Sequence, residues 1–276
     1  MKKTFMLMAF VAISLATSAQ IRVIREGVDF KPGITCDTVR YLIYYDMQFV
    51  TDTTRHPYQP EKEMIRLEIG RHSSHCMSHL VWQSDSLNAC IHSRGENDYS
   101  SRGNVNWNIF RDYPDRGGLV SLFCLGMDRF ACHEKDEVPE WTSVDDSSAT
   151  ILGYECRMAV TNFKGRTWKA WFTEDIPFSL GPWKLTGLPG LILKAEDADG
   201  QFSFMAVGMK SVAQPIFYTG SDYESTDSKS LNKLLYRYGV DPVGYITGNP
   251  NVTVKVVDEH GNPTKMKKVP YNPIER

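Results

Sequence analysis

What most restricts the fold of this chain is an alternation of apolar and polar residues that returns along most of its length. In the stretch TVRYLIYYDMQFV, residues 38–50, the odd positions Val39, Tyr41, Ile43, Tyr45, Met47 and Phe49 are all apolar or aromatic. The even positions include Arg40, Asp46 and Gln48. Side chains of a β-strand alternate between two faces, so this pattern predicts strands with one buried and one mostly wet face. Ile65, Leu67 and Ile69 in EMIRLEIG repeat it, as do Val105, Trp107 and Ile109 in NVNWNIF. One polar face per strand favours antiparallel over parallel sheet.

Turn residues divide the remaining runs into hairpins. GYECRMAVTNF and RTWKAWFT meet at Lys164-Gly165, and LILKAEDADGQFSFMAV turns at Asp197–Gly200. FCLGMDRFAC reads as another hairpin, and NVTVKVVDEHGNPTKMKKV as a last one turning at His260–Pro263. Glycine supplies the positive φ that such turns require. Only STDSKSLNKLLYRYGV reads well as helix, with Leu231, Leu234, Leu235 and Tyr238 at helical spacing, Asp227 or Ser228 as cap and Gly239 as stop. The expected fold class is mainly β (α+β): a curved antiparallel sheet or half-barrel with one or two helices packed on it.

The segment GPWKLTGLPGLIL, residues 181–193, sets four Gly or Pro residues against an apolar run. Pro fixes φ and removes a donor, whereas Gly permits close backbone approach. We read it as a turn-rich crossover that packs Trp183, Leu185 and Leu188 on the sheet and feeds Leu191-Ile192-Leu193 into a core strand. The GxxxxGK[ST] spacing of a phosphate loop is absent.

At these residues the chain resembles the GLPGLI family of exported bacterial proteins, on Gly187-Leu188-Pro189-Gly190-Leu191-Ile192. The resemblance takes in GYEC at 153–156, FKGRTWKAWFTEDIPFSLGPWK at 163–184, Ala195–Asp199, and YNPIE at 271–275. It implies an exported protein of the Bacteroidetes. No activity is established for that family, so it implies no function.

The first nineteen residues read as a signal peptide: Lys2 and Lys3, an apolar run from Phe5 to Leu15, then the small residues Ala16-Thr17-Ser18-Ala19. The apolar run is shorter than the about 20 residues a membrane helix needs. Cleavage near Ala19-Gln20 leaves residues 20–276 as a single β-rich domain, exported to the periplasm or beyond it and not membrane-spanning. Without Lys2 and Lys3 the 31 basic residues become 29 against 33 acidic ones, near −4. That balance argues against a nucleic-acid partner.

Six cysteines in an exported chain are compatible with disulfides: Cys36, Cys76, Cys90, Cys124, Cys132 and Cys156. Cys124 and Cys132 flank a hairpin pattern and are the first candidate pair, with Cys76–Cys90 another. The other reading is that several are small buried residues.

Three constellations could carry function. Arg166, Trp168 and Trp171 could form a ligand platform through stacking and cation–π contact, or could instead fill the sheet's inner face. His72, His75, Cys76 and His79, with Met77, offer donors suited to copper or zinc, although the spacing fits no standard finger and HExxH is missing. A hydrolase lacks support, because there is no GxSxG elbow and adjacent pairs such as Cys132-His133 diverge on a strand. The resulting expectation is a non-enzymatic protein without cofactor that binds an apolar or peptide-like ligand on a concave face, or an envelope partner at an exposed edge. Copper or zinc binding is the alternative.

Overall fold

The computed structural model describes residues 33–95, 103–248 and 268–276, together with the backbone of short strands at 8–12 and 253–257. In chain order the first strands are β1 (Met8–Ala12), β2 (Ile34–Thr38), β3 (Tyr41–Phe49), β4 (Glu61–Ile69) and β5 (Ser74–Ser78). Helix α1 (His79–Ser93) is followed by β6 (Trp107–Arg111), β7 (Gly118–Leu125), β8 (Asp128–Lys135), β9 (Thr142–Ile151) and β10 (Tyr154–Phe163). Then come β11 (Arg166–Thr173), β12 (Leu191–Asp197), β13 (Phe202–Ser211), β14 (Pro215–Tyr218) and β15 (Glu224–Thr226). Helices α2 (Ser228–Val240) and α3 (Pro242–Thr247) precede β16 (Thr253–Val257).

Twelve strands form one open sheet in the order β15-β8-β7-β6-β5-β4-β3-β13-β12-β11-β10-β9, not closed into a barrel. Two meanders build it, β3–β8 and β9–β13, joined where β3 pairs with β13 from Phe49↔Phe202 to Tyr41↔Ser211. Within this sheet, among the described residues, β15 alone runs parallel to its neighbour; β1 and β16 form a separate parallel pair. The mainly β expectation holds, with three short helices among the described residues where one or two were expected.

Odd positions of β3 and β4 feed the larger core, with Ile43, Tyr45, Ile65 and Leu67 almost fully buried. The even face is open at Arg40, Asp46, Lys62 and Met64, as the sequence reading had it, but is covered at Leu42, Arg66 and Glu68. The ribbon of β2 and β14 lies over part of it, and Leu42, Phe110, Val120, Leu122, Ile216 and Tyr218 form a second core there. Where the sheet is covered on both sides its polar even positions are buried too, including Arg66 and Glu68 of β4.

Local expectations fare well at the turns. Lys164 (φ 50°) and Gly165 (φ 78°) make the β10–β11 turn in left-handed geometry. Asp227 caps α2, its side chain accepting from Ser230 N–H, but the helix runs past Gly239 to Val240. The hairpin turn expected at His260–Pro263 lies outside the described residues, as does most of the expected signal peptide. No helix among the described residues is long and apolar enough to cross a membrane.

Candidate functional site

Residues 174–190 leave the end of β11 and return as β12, so this crossover must approach a strand it has just left. It does so at Gly190, where a Cβ would stand 2.0 Å from the Thr173 carbonyl oxygen. Only glycine fits that approach. The return is fixed by Leu191 N–H to Ile176 O (3.0 Å) and Ile192 N–H to Leu180 O (2.9 Å). Trp183, Leu185 and Leu188 are buried in the main core, as the sequence indicated.

The crossover settles the place of Trp168. This indole is fully buried, with Trp183 at 5.5 Å and Phe204 at 6.3 Å between ring centroids. Each such ring removes about 150–250 Å² from water. At about 25 cal/mol/Å² that is about 4–6 kcal/mol before entropy is counted. The side of the sheet that Trp168 faces is therefore filled by the chain's own crossover. Among the described residues its Nε1 has no partner, and an unpaired buried N–H is costly.

Arg166 is also consumed internally. Its Nη1 donates to Asp197 (2.6 Å) and Gln201 (3.1 Å), while Nε and Nη2 reach Ile274 O, Asn272 Oδ1 and Pro273 O. Of the three expected platform residues, Trp171 alone is partly open. Its ring carries the Lys194 ammonium 3.9 Å from its centroid, and Lys194 pairs with Glu196 at 2.8 Å. Beside it an open groove of about 440 Å³ is lined by Ala149, Thr150, Ile151, Leu152, Lys194, Met205 and Ala206 with Trp171.

The histidine-rich stretch is a strand followed by a helix, which separates its donors. His75 and Cys76 are neighbours on β5 and take opposite faces. His75 hydrogen-bonds Glu68 Oε2 through Nδ1 (2.8 Å) and Asn108 through Nε2 (2.5 Å), and stacks on Phe110. Cys76 accepts from Trp183 N–H, and burial pushes its thiol up to about 12. His72 is exposed, and His79 begins α1, stacked on Trp82. His72, His75, Cys76 and His79 thus do not converge. Among the described residues no three His, Cys, Asp or Glu side chains gather as a metal site.

All six cysteines are free thiols. Cys124 pairs in register with Arg129 and Cys132 with Ser121, so the expected Cys124–Cys132 bridge is replaced by two separate environments. Cys124 meets Tyr223 and Cys132 meets Ser228.

A buried polar cluster escaped sequence reasoning. Arg66 donates to Glu68 (2.6 Å), stacks on Trp82 (3.9 Å), and among the described residues leaves Nε unpartnered; Gln214 also donates to Glu68. Burial works to raise the Glu68 carboxyl, but the His75 hydrogen bond and the charges of His75 and Arg66 outweigh it and hold the group below its usual value. The available signal was the antiparallel register, which sets Glu68 opposite His75.

The profile of a family described as "Protein of unknown function (Porph_ging)" matches residues 161–194, the end of β10 through the crossover into β12. No curated protein matches. Among solved structures the chain is similar to those titled "Structure of PNGF-II in P21 space group" and "Structure of PNGF-II in C2 space group". Both share 15% identity with it, with TM-scores of 0.52 and 0.51, over 73% of this chain and 34% and 33% of theirs. This chain thus spans about a third of the solved chains' length, and at such identity the likeness concerns fold alone.

Proposed function

We propose that this chain is an exported, non-enzymatic binding protein of the cell envelope, GLPGLI-like in character, whose ligand site is the groove beside Trp171. The carrying observation is a convergence of three β-bulges on one cross-strand row. Met158, Trp171, Lys194 and Met205 face one another in register across β10 to β13. Register shifts adjoin this row at Arg157/Met158, at Trp171/Phe172 and between Ala206 and Gly208. Bulges re-aim side chains and gather near binding sites.

The rim adds support. Leu152 sits at φ 52° at the β9–β10 turn and is 42% exposed. A left-handed leucine costs roughly 1–2 kcal/mol, and with Gly153 at φ 84° it supplies the positive φ that the two-residue hairpin turn requires. Exposed Leu152 and Met205 with half-buried Trp171 suit an apolar ligand, or the apolar side chains of a peptide-like one. A non-enzymatic role is favoured because the best acid–base pair, Glu68 with His75, is buried beneath the β2–β14 ribbon.

The test uses 8-anilino-1-naphthalenesulfonate, an apolar anion, titrated into the protein without its first nineteen residues. Saturable one-to-one binding should weaken at least about tenfold, or 1.4 kcal/mol, in Trp171→Ala and Met205→Lys with melting temperature unchanged. Equal binding by both variants would remove the groove from consideration.

A further inference from the structure

One cross-strand row of the sheet is complementary to its own reverse. Trp171 of β11 pairs in register with Lys194 of β12, Lys194 with Met205 of β13, Met205 with Asp46 of β3, and Asp46 with Met64 of β4. Directly paired residues share a face, so the row presents an aromatic ring, a cation, a methionine, an anion and a methionine in succession. Strands lie about 4.8 Å apart, which makes the row about 19 Å long. Met205 at its centre is 37% exposed and Met64 at its end 36%. Asp46 between them is exposed, while Trp171 and Lys194 are half-buried.

A second copy can meet this row after a 180° turn about an axis that runs along β13 in the plane of contact. Each position then faces its mirror position, as a two-fold interface requires. Met205 meets Met205 on the axis. Lys194 meets the second copy's Asp46 one strand away, and Asp46 meets the second copy's Lys194. Trp171 meets the second copy's Met64 at both ends, a sulfur–aromatic contact. The facing sheets keep their strands aligned, an arrangement that packed sheets favour. Lys194 keeps its pairing with Glu196 (2.8 Å) and has N–H donors to spare for a further carboxylate. In the neighbouring row Ser203 lies between Glu196 and Gln48, so the turn sets Glu196 against the second copy's Gln48. Lys169 and Lys62 face each other at the ends of that row, about 10 Å from the axis, where salt and water screen them. An apolar anion could use Trp171, Lys194 and Met205 but finds no use for Asp46 and Met64. A second copy answers all five.

We infer that this row is the contact of a two-fold homodimer, with a second copy of the chain as the occupant of the Trp171 groove. The inference rests on the reading of that groove as the chain's binding site, since Trp171, Lys194 and Met205 line it. The two rows measure about 19 Å by about 7 Å between side-chain positions, less than the about 800 Å² that each side of a stable interface buries. The dimer is therefore weak, with a dissociation constant of about 0.1 mM.

Forward X-ray scattering of the protein used in the probe titration, followed from about 20 to about 500 μM, should rise from the mass of one chain toward that of two. Lys194→Glu and Asp46→Lys each set like charges opposite one another at both symmetric contacts, and each should weaken dimerisation at least about tenfold. Mixed together they should restore it, because every contact between the two variants again joins opposite charges. Met205→Lys brings two ammonium groups together on the axis and should leave a monomer at about 500 μM. A mass that stays at one chain, single variants that dimerise like the parent, or a mixture that stays monomeric overturns the inference. The groove reading survives those results if Trp171→Ala still loses the apolar probe at about 1 μM, where the protein is monomeric. Equal probe binding by Trp171→Ala, with the charge-swap pattern intact, strikes the groove reading and leaves the dimer.

Discussion

Replacing Gly190 by alanine tests the physical reason for the Gly-Pro crossover. The new methyl would stand 2.0 Å from Thr173 O, 2.6 Å from Thr173 C and 3.0 Å from Glu174 Cα. All three are backbone atoms at the end of β11, so no side chain can rotate away. Ordinary contact begins near 3.4 Å, and the crossover must retreat by more than an ångström. Gly190 also holds φ 155°, a value that alanine resists. Overpacking of this kind costs about 1–3 kcal/mol and a disfavoured φ about 1–2, together about 2–5 kcal/mol. A domain of ordinary stability has about 5–15 kcal/mol in all. With a urea m-value of about 3 kcal/mol/M, the unfolding midpoint should fall by about 0.7–1.7 M. Gly208 is the control, because nothing lies within 4 Å of a Cβ there. Gly208→Ala should be neutral or gain up to about 1 kcal/mol by restricting the unfolded chain. A Gly190→Ala midpoint within about 0.3 M of the parent would refute the close-approach reasoning.

Other outcomes follow from the same geometry. Trp168→Phe deletes an unpartnered buried N–H along with some volume, so it should cost no more than about 1 kcal/mol in urea unfolding; Trp183→Ala should cost about 3–5. Glu68 is held below its usual value, so its contribution is complete above the ordinary glutamate range and is lost as pH falls through and below it. Glu68→Gln should accordingly destabilise by about 3 kcal/mol at pH 7, where it strands buried Arg66, and by clearly less near pH 3; a gap independent of pH would count against this. Because His72, His75, Cys76 and His79 diverge, protein incubated with Zn(II), Cu(II) or Cu(I) and then desalted should retain less than one metal per chain. Stoichiometric retention lost in the His72/His75/His79 triple alanine variant would reinstate the metal reading.

The strands were legible because each declares itself locally: β3 through Tyr41 to Phe49, and the β10–β11 turn through Lys164-Gly165. Helix α2 was legible for the same reason, its leucines marking one face. Helix α1 was not. Its buried residues are Ser84 and Asn88 rather than an apolar stripe, so HLVWQSDSLNACIHS shows no helical period to find. Arg66 is covered by Trp82 of α1, and Glu68 is reached by Gln214 beside the ribbon of β2 and β14, whose strands lie about 180 residues apart in the chain; no local pattern reports either. The candidate site was half legible. Arg166, Trp168 and Trp171 lie on one strand, but alternation turns Trp171 away from the other two, and only the bulges around it reveal why it stays open.

Hydroxyl-radical footprinting with mass spectrometry probes the central claim most directly: one indole, Trp171, faces a ligand groove, while Trp168 and Trp183 are sealed by the chain's own crossover. Trp171 should oxidise at least about tenfold faster than Trp168 and Trp183, and 8-anilino-1-naphthalenesulfonate should protect it. Equal oxidation of all three, or a Trp171 indifferent to the bound probe, would contradict the account.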